Sequence, residues 1–306
     1  MANKSKIRFG PDGVHFFQRE TGFNVLLDEM SVPPEKWSLA PRQVSIALTN
    51  QCDLNCSHCY APKYKAQLDL LELKKWLIEL DQNGCFGVGF GGGEPTLYPD
   101  LIELCEFASK QTQLAITMTT HAHNLNLNLI ERLSPYLNFI RVSMDGVGST
   151  YEEIRGRSFL EFLSKLSLLR GKIRFGINFV VNSKTIIDID AAIKIAEEYG
   201  AMEFLLLPEE SFGKGSGIDK ITRETLQEWV EKYDGKINLS ISERYKSDYP
   251  VILPLSKEVG LRSYAHIDAS GCLKRTSFDI EGITIADKNI MESLTLLDSS
   301  NEEIKL

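Results

Sequence analysis

Three cysteines in one short segment constrain this chain more than any other feature of its sequence. Cys52, Cys56 and Cys59 have the spacing C-x3-C-x2-C in the segment CDLNCSHC. Thiolates that lie this close together can hold an iron–sulfur cluster, although a 4Fe–4S centre usually has four cysteine ligands. A cluster with three protein ligands would leave one iron open, and an open metal position is where a metal site performs chemistry.

The main alternative for this segment is a zinc site or a group of inert thiols. Zinc usually takes a fourth cysteine or histidine, often from a second C-x2-C pair far along the chain. This sequence has no such second pair. His58 lies between Cys56 and Cys59, so one short loop would have to supply all four ligands. The spacing therefore favours an iron–sulfur cluster.

Two further motifs follow predicted strands. The run Gly91–Pro95 (GGGEP) contains glycines that allow close backbone approach, and the carboxylate of Glu94 suits an ammonium group. A tight turn is the alternative explanation. Ser143 ends the strand-like run Phe139–Ser143, and Arg155 follows in the segment YEEIRG. A strand cap and a solvated helix charge are the alternatives for these two residues.

In this order, the motifs resemble those of the radical S-adenosylmethionine (SAM) superfamily. They are closest in pattern to its SPASM/twitch branch of peptide- and sulfatase-maturing enzymes. The resemblance implies one [4Fe–4S] cluster on the three cysteines, with SAM on the open iron. The superfamily usually has Tyr or Phe at the position of His58. The implied SAM contacts are Gly92, Gly93 and Glu94 at the amino group, Ser143 and Arg155 at the carboxylate and ribose, and the backbone around His58 and Leu207 at the adenine.

The resemblance also implies a reaction. The reduced cluster would transfer one electron to SAM, giving methionine and a 5′-deoxyadenosyl radical that removes a hydrogen atom from the substrate. An electron donor such as flavodoxin or ferredoxin would reduce the cluster. No catalytic acid or base is identified. His121, Glu209 and Glu210 follow predicted strands and are expected to face the cavity, although His121 and His123 are also typical of surface or capping groups.

The alternation of apolar runs and amphipathic stretches predicts an α/β fold. Six strands are expected, and their βα repeats indicate a parallel sheet with right-handed connections. Helices are expected from Asp69, over 185–199 with a stop at Gly200, and over 222–233. By resemblance, these elements form a partial (β/α)6 TIM-like barrel with the motifs at the carboxyl ends of its strands. The expected strands are 44–48, 86–90, 114–119, 139–143, 173–181 and 204–207.

Three regions are expected along the chain. Residues 1–40 read as a small β-meander, which could bind a peptide by strand addition or cover an open end of the barrel. Residues 41–212 form the core barrel. Residues 213–306 form a mixed α+β extension that resembles a degenerate SPASM/twitch region, with a hairpin over 264–274. Because Cys272 is the only cysteine of this extension, no auxiliary cluster is expected.

The charge and the termini of the sequence narrow the function classes. A net charge of −8 over 306 residues argues against general nucleic-acid binding, which usually requires a basic face. Met1–Phe9 lacks the pattern of a signal peptide, and no apolar run approaches the roughly 18 residues of a membrane span. We therefore expect a cytoplasmic protein whose cysteines act as ligands rather than disulfides.

Three functions remain open at this stage. The first is a maturase that acts on a peptide or protein, which the motif around Ser143 and the degenerate extension favour. The second is the same radical chemistry on a small molecule in cofactor, nucleotide or natural-product synthesis, which the missing auxiliary cysteines favour. The third is a non-enzymatic iron–sulfur sensor or interaction protein. A sensor would not need Glu94, Ser143 and Arg155 together, so the enzymatic hypotheses are preferred.

Overall fold

The computed structural model describes residues 5–286 and 289–299, and its strands form two sheets. A small antiparallel sheet contains β1 (Lys6–Gly10), β2 (Gly13–Gln18) and β3 (Phe23–Leu27). A large sheet contains the other strands, which are β4 (Gln43–Thr49), β5 (Gly87–Gly92), β6 (Ala115–Thr120), β7 (Phe139–Ser143), β8 (Phe175–Val181), β9 (Glu203–Pro208), β10 (Asn238–Ile241), β11 (Tyr264–Ile267), β12 (Cys272–Lys274) and β13 (Ile283–Thr284).

The large sheet confirms the α/β barrel and extends it at both edges. Strands β4 to β9 are parallel neighbours in chain order, as the six βα repeats predicted. Strand β10 adds to β9 in parallel, and β11 adds to β4 in parallel from more than 200 residues away. The hairpin expected over 264–274 is the antiparallel pair β11–β12. The extension therefore continues the barrel sheet.

The helices cover one face of the sheet because the strands alternate in burial. In β6, Ile116 and Met118 are buried against the helices, whereas Thr117 and Thr119 point to the opposite, concave face. The helices are α1 (Leu70–Gln82), α2 (Leu101–Gln111), α3 (Leu127–Leu133), α4 (Ser149–Arg155), α5 (Phe159–Leu169), α6 (Ile189–Tyr199), α7 (Lys220–Lys232) and α8 (Ile290–Ser299).

Side-chain caps fix several helix ends. The carboxylate of Asp69 accepts the N–H groups of Leu71 and Glu72, so α1 begins where the sequence predicted. Helix α6 ends at Gly200, which has the left-handed φ of 83° that glycine tolerates. Its start differs from the prediction, because residues 186–188 form a single 3₁₀ turn before the α-helix. Asp219 caps α7, which therefore begins two residues earlier than expected.

The small β1–β3 sheet lies against the amino-terminal ends of the barrel strands. The guanidinium group of Arg19 donates hydrogen bonds to the carbonyls of Ser109, Thr112 and Leu114. Arg174, next to β8, donates to the carbonyls of Arg19 and Glu20. These contacts place the meander as the floor of the barrel, which is the covering role considered from the sequence. Residues 1–4, 287–288 and 300–306 of the expected terminal regions lie outside the described residues. Among the helices that the structure describes, none has both the length and the apolar character to cross a membrane.

Candidate active site

The cysteine loop leaves the carboxyl end of β4, and each of its three sulfurs has a nitrogen donor beside it. Cys56 is buried, while Cys52 and Cys59 are partly exposed, and all three are free thiols. The N–H of Leu54 lies 3.4 Å from the sulfur of Cys52. The other two sulfurs have cationic neighbours, at 3.5 Å from Arg155 Nη1 to Cys56 and 3.3 Å from Lys63 Nζ to Cys59.

This donor set fits a three-cysteine iron–sulfur cluster. Burial raises the pKa of the Cys52 and Cys56 thiols, so thiolates here need positive charge nearby. Arg155 supplies part of that charge, because it lowers the pKa of Cys56. Hydrogen bonds and charges around the sulfurs also tune bound metal clusters. The three cysteines would therefore hold the cluster, with Cys56 on the inner side of the loop.

The glycines of the GGGEP motif allow β5 to lie against the chain that leads into the cysteine loop. A Cβ atom on Gly92 would collide with the carbonyl oxygen of Thr49, and one on Gly93 with that of Gln51. The N–H groups of Gly93 and Glu94 donate to these same two carbonyls, each at 2.7 Å. The motif thus fixes the start of the cysteine loop. The expected contact of Gly92 and Gly93 with the amino group of SAM stays a prediction.

Glu94 is fully buried and joins the ends of β5 and β6. Its Oε1 accepts hydrogen bonds from the Thr96 N–H at 3.1 Å, the Thr96 hydroxyl at 2.6 Å and the Thr120 hydroxyl at 2.7 Å. Its Oε2 accepts the N–H of His121 at 3.0 Å. This carboxylate is therefore anchored within the protein, and its contact with the amino group of SAM also stays a prediction.

His121 links this carboxylate to the cysteine loop. Its Nε2 lies 2.9 Å from Asp53 Oδ1 and 3.3 Å from Glu94 Oε2. Arg157 holds the other oxygen of Asp53 at 3.1 Å. The sulfur of Cys52, a carboxylate oxygen of Asp53 and a ring nitrogen of His121 all lie within 4.8 Å of one another. His121 was expected to face the cavity, and the structure shows that it braces the loop beside Cys52.

Asp145 is the functional residue to which sequence reasoning gave no role. It is fully buried and pairs with Arg155 through Nη2, with His58 Nε2 at 3.1 Å and with the N–H of Val180 at 2.8 Å. Burial raises its pKa, but Arg155 and His58 outweigh burial and hold the pKa well below its usual range. Asp145 therefore stays ionised and ties the cysteine loop to β7 and α4. The signal was present in the sequence, since Asp145 lies two residues after Ser143, in the run SMDG that follows the predicted strand.

The remaining predicted residues lie at the same edge but are not all joined to the cysteine loop. Ser143 is the partly buried last residue of β7, Leu207 is the partly buried next-to-last residue of β9, and their contacts with SAM stay predictions. Glu209 is buried, and it accepts hydrogen bonds from Asn182 at 2.6 Å and from the Ser216 N–H at 2.7 Å. Glu210 lies 3.4 Å from Arg244. These two glutamates hold the segment after β9, and their expected position facing the cavity stays a prediction.

Two adjoining cavities open at this edge of the sheet. The first, about 440 Å³, is lined by residues 50–55, which include Cys52, and by residues 63–65. The second, about 240 Å³, lies between the ends of β4 and β5, the residues after Cys59 and the C-terminal extension. Both cavities are lined by Asn50 and Tyr64. The edge therefore offers connected space beside the cysteine loop for a cofactor and a second molecule.

A cysteine loop and a glycine-rich turn at the carboxyl ends of parallel strands define an iron–sulfur barrel protein, and comparison with known proteins agrees. The sequence model of the Radical SAM superfamily matches residues 46–196. The chain belongs to this superfamily, whose members use a [4Fe–4S] cluster and SAM.

Curated relatives act on different kinds of substrate, to judge from their names. The chain is 30% identical over 159 residues to the Fe-coproporphyrin III synthase of Methanosarcina barkeri, which is 49% of this chain and 40% of that protein. It is 25% identical over 260 residues to the AdoMet-dependent heme synthase of the same organism, covering 78% and 73%. It is 26% identical over 204 residues to the mycofactocin maturase MftC of Mycobacterium tuberculosis, covering 64% and 51%. The chain thus spans about half the length of the first and third of these relatives.

Solved structures share the fold over most of the chain. SuiB of Streptococcus suis, bound to the precursor peptide SuiA, superposes with a TM-score of 0.75 at 15% identity, over 95% of this chain and 87% of that one. The protein anSMEcpe, with bound AdoMet and a peptide called Cp18Cys, superposes with a TM-score of 0.64 at 20% identity, over 86% and 82%. At these identities the likeness establishes the fold.

Proposed function

We propose that this protein cleaves SAM reductively and uses the resulting radical to remove a hydrogen atom from a peptide or protein. The observation that carries the proposal is the linkage of Cys56, Arg155, Asp145 and His58 at the carboxyl edge of the sheet. When bound, the cluster supplies one electron to SAM, which yields methionine and the 5′-deoxyadenosyl radical. Cys52, Cys56 and Cys59, each with an N–H donor at its sulfur, would hold the cluster.

The chain's own residues would bind and orient SAM. Arg155 has a buried Nε with no hydrogen-bond partner among the described residues, so it retains a donor for a carboxylate such as that of SAM. Glu94 and His121 keep the ends of β5 and β6 fixed beside Cys52, which limits how the cofactor can sit. Ser143 and Leu207 supply the strand ends for the ribose and the adenine.

The substrate class rests on the shape of the whole chain. The likeness to SuiB, in a structure bound to a precursor peptide, extends over 95% of this chain and so includes the extension. This favours a peptide substrate. A small-molecule substrate is the second candidate, because the match to the heme synthase covers 73% of that protein. The extension also has only one cysteine, the partly buried Cys272, which is too few to hold an auxiliary cluster, and this favours the small-molecule candidate.

An acidic electron donor such as flavodoxin or ferredoxin is part of the proposal. Four exposed cationic side chains, here called the basic collar, surround the cysteine loop: Lys63, Lys65, Arg157 and Lys214. Lys63 contacts Cys59, and Lys214 contacts Asn55 within the loop. This local positive charge stands out on a chain of net charge −8. Charge complementarity of this kind guides association with an acidic partner. The free thiols of the described residues also favour a reducing compartment, so we propose a cytoplasmic location.

The test is anaerobic reconstitution with iron and sulfide, followed by SAM and dithionite. About four irons per chain and the formation of 5′-deoxyadenosine are expected. The variant Cys56→Ser should lose both iron and product, whereas Cys105→Ala, in the buried core of α2, should retain both. About eight irons would reveal an auxiliary cluster and contradict the single-cluster proposal. A cluster that forms without any SAM cleavage would favour the sensor hypothesis.

A second measurement separates the substrate classes. Deoxyadenosine formation is followed while short peptides encoded near the gene, or iron-free and iron-bound porphyrins, are added. Mass spectrometry then shows whether the added molecule loses hydrogen. Stimulation by a peptide with a matching mass change supports the maturase, and stimulation by porphyrins alone supports the second candidate.

A further inference from the structure

The 240 Å³ cavity has a wall that no part of the SAM site accounts for. Three residues of the C-terminal extension, His266, Asp268 and Lys274, line it opposite the ends of β4 and β5. Its volume of about 240 Å³ lies below the roughly 300–1,000 Å³ of small-molecule pockets, so it suits one chemical group of a substrate rather than a whole cofactor. The inference that follows rests on the proposed function.

Asn50 supplies the first feature of this wall. Its side chain is only 6% exposed, and its Nδ2 is buried with no hydrogen-bond partner within residues 5–286 and 289–299. Buried N–H groups in native proteins almost always have an acceptor, and leaving one unpaired costs about 1–3 kcal/mol. Asn50 lines this cavity as well as the one beside Cys52, so a bound molecule in either cavity can supply the missing acceptor, and the test below separates the two.

His266 supplies the second feature through a chain of hydrogen bonds. Its Nδ1 lies 2.6 Å from the hydroxyl of Ser45, which lies 2.5 Å from the phenol oxygen of Tyr264. Burial raises the pKa of Tyr264 to about 12 and lowers that of His266 to about 4, so the phenol keeps its proton and the imidazole is neutral.

Two directions are available to the protons of this hydrogen-bonded chain, and each leaves one proton without an acceptor among the described residues. If Tyr264 donates to Ser45 and Ser45 donates to Nδ1 of His266, that proton lies on Nε2 of His266, a residue that lines the cavity. In the reverse direction it lies on the phenol of Tyr264, which is not among the residues that line the cavity, so we adopt the first direction. With Nδ1 as acceptor, the neutral imidazole carries its proton on Nε2. His266 lines the cavity, and its Nε2 has no partner among the described residues, so it is a second N–H donor there.

The charged groups of the wall are already paired. Asp268 lies 2.8 Å from Lys274, and it also accepts the N–H groups of Ser270 and Cys272. Asp279 accepts the N–H and hydroxyl of Thr276. The acceptors are therefore engaged and the cation is neutralised, while two neutral donors remain. This arrangement favours an uncharged oxygen over a carboxylate, because a carboxylate would be buried here without a free cation.

The opposite side of the cavity is aromatic. Tyr60, Tyr64 and Phe212 line it, and Phe278 packs on two of them, with ring centroids 5.1 Å from Tyr60 and 5.9 Å from Phe212. Aromatic rings in such positions favour offset or edge contacts with a flat apolar group.

We propose that this cavity is a substrate subsite for an amide carbonyl attached to a planar apolar group, with Asn50 and His266 donating to the carbonyl oxygen. A peptide segment with an aromatic residue has this chemistry. Asn50 and His266 are then specificity-determining residues, contributed by the loop after β4 and by β11.

The test measures the binding of 4-fluorobenzamide to the reconstituted protein loaded with SAM, by fluorine NMR. The amide should bind more tightly than 4-fluorobenzoate and 4-fluorotoluene. Asn50→Ala and His266→Phe should each weaken amide binding about three- to tenfold, the value of one hydrogen bond, and leave 4-fluorotoluene unchanged. Unchanged binding of 4-fluorotoluene also shows that these variants are folded. His15→Phe, at the barrel floor, is the matched control and should change nothing.

Two outcomes would overturn the proposal. Tighter binding of the benzoate would mean that the cavity selects an anion. Tighter binding of the amide to the SAM-free protein than to the SAM-loaded protein, together with weaker SAM binding in Asn50→Ala, would mean that the cavity belongs to the SAM site. Failure of SAM cleavage in the unmodified protein would contradict the proposed function, yet the binding comparison would still be readable because it needs no turnover.

Discussion

Two buried arginines mark the two ends of the barrel, and they differ in how completely the protein satisfies them. At the floor, Arg8 donates to Glu258 at 2.6 Å and to the carbonyls of Ala40, Gly84 and Arg262 at 2.8–3.0 Å. At the carboxyl edge, Arg155 pairs with one carboxylate and one sulfur, and its Nε has no partner in the described chain. A satisfied buried arginine stabilises the fold, whereas an incompletely satisfied one is available to a ligand.

The same contrast holds for other groups. Around the carboxyl edge, the described residues with a buried unpaired polar atom include Asn50, His58 and Arg155. At the floor, Arg19 and Arg174 donate to several carbonyls, and Nδ1 of His15 is a buried atom without a partner among the described residues. Because unpaired buried polar groups are costly, those beside the cysteine loop, at Asn50, His58 and Arg155, are candidates for contact with a bound molecule.

The largest expected effect comes from breaking the floor. Arg8→Met would leave Glu258 buried without its cation, so the free energy of unfolding should fall by about 3–5 kcal/mol. The double variant Arg8→Met/Glu258→Leu removes both charges and should recover much of that loss. Urea unfolding of matched reconstituted samples, followed by circular dichroism, measures both. Equal stability of the single and double variants would contradict a dominant role for the ion pair.

The second-largest effect is a loss of folding stability at acidic pH. It compares His266 in the C-terminal extension with His15 at the floor of the barrel. Burial lowers the pKa of His266 to about 4, with Asp268 raising the pKa, Lys274 lowering it and Asp279 raising it. In the unfolded chain the pKa is near 6.5, so the unfolded state takes up a proton first as pH falls. The contribution of His266 is therefore full above about pH 6.5 and is lost progressively toward pH 4, by about 3 kcal/mol in all.

The measurement compares unfolding midpoints at pH 7.5 and pH 5 for the unmodified protein and for His266→Gln. The variant should lose less stability between these two values, because glutamine does not titrate. His15→Gln makes the same comparison at the floor of the barrel, because burial lowers the pKa of His15 as well. The same loss in the unmodified protein and in His266→Gln would show that this histidine does not govern the acid response.

The third effect concerns Arg155 itself. Arg155→Lys keeps a cation beside Asp145 but removes the planar set of donors, so SAM binding by the reconstituted protein should weaken about tenfold. The unfolding midpoint should change little, in contrast to Arg8→Met. Equilibrium dialysis with labelled SAM measures the affinity. If SAM binds Arg155→Lys as tightly as the unmodified protein, Arg155 only anchors Asp145.

The sequence predicted the barrel because its central strands are short apolar runs that are separated by clear turn and helix-capping residues. The strand β7 matched its prediction residue for residue, and the hairpin over 264–274 was also found. The parallel pairing of β11 with β4 could not be predicted, because it joins segments more than 200 residues apart and leaves no local pattern. The contact of His266 with Ser45 depends on that pairing.

The sequence predicted which motifs form the candidate site, but it did not predict which side chains contact one another there. Cys52, Cys56 and Cys59 were singled out from their spacing, and Glu94 from the GGGEP motif. The reason for glycine at Gly92 and Gly93 is a collision with the chain before the cysteine loop, which only the folded backbone shows. Asp145 received no role because its importance lies in its contacts with Arg155 and His58, and side-chain partners across the fold cannot be read from sequence order.

The smallest expected effect compares an exposed positive charge beside the cysteine loop with one beside the floor of the barrel. Lys65 belongs to the basic collar and makes no ion pair or side-chain hydrogen bond with the described residues, so Lys65→Glu should not disturb the fold. Deoxyadenosine formation driven by reduced flavodoxin should fall about threefold at low salt, and the difference should shrink at high salt because exposed charges are screened. Dithionite, a small reductant that needs no docking, should support equal rates in both proteins. Lys36→Glu, an exposed lysine beside the floor, is the matched control and should leave both rates unchanged. An equal fall with Lys36→Glu would show that overall charge, rather than the collar around the cysteine loop, governs the encounter with the donor.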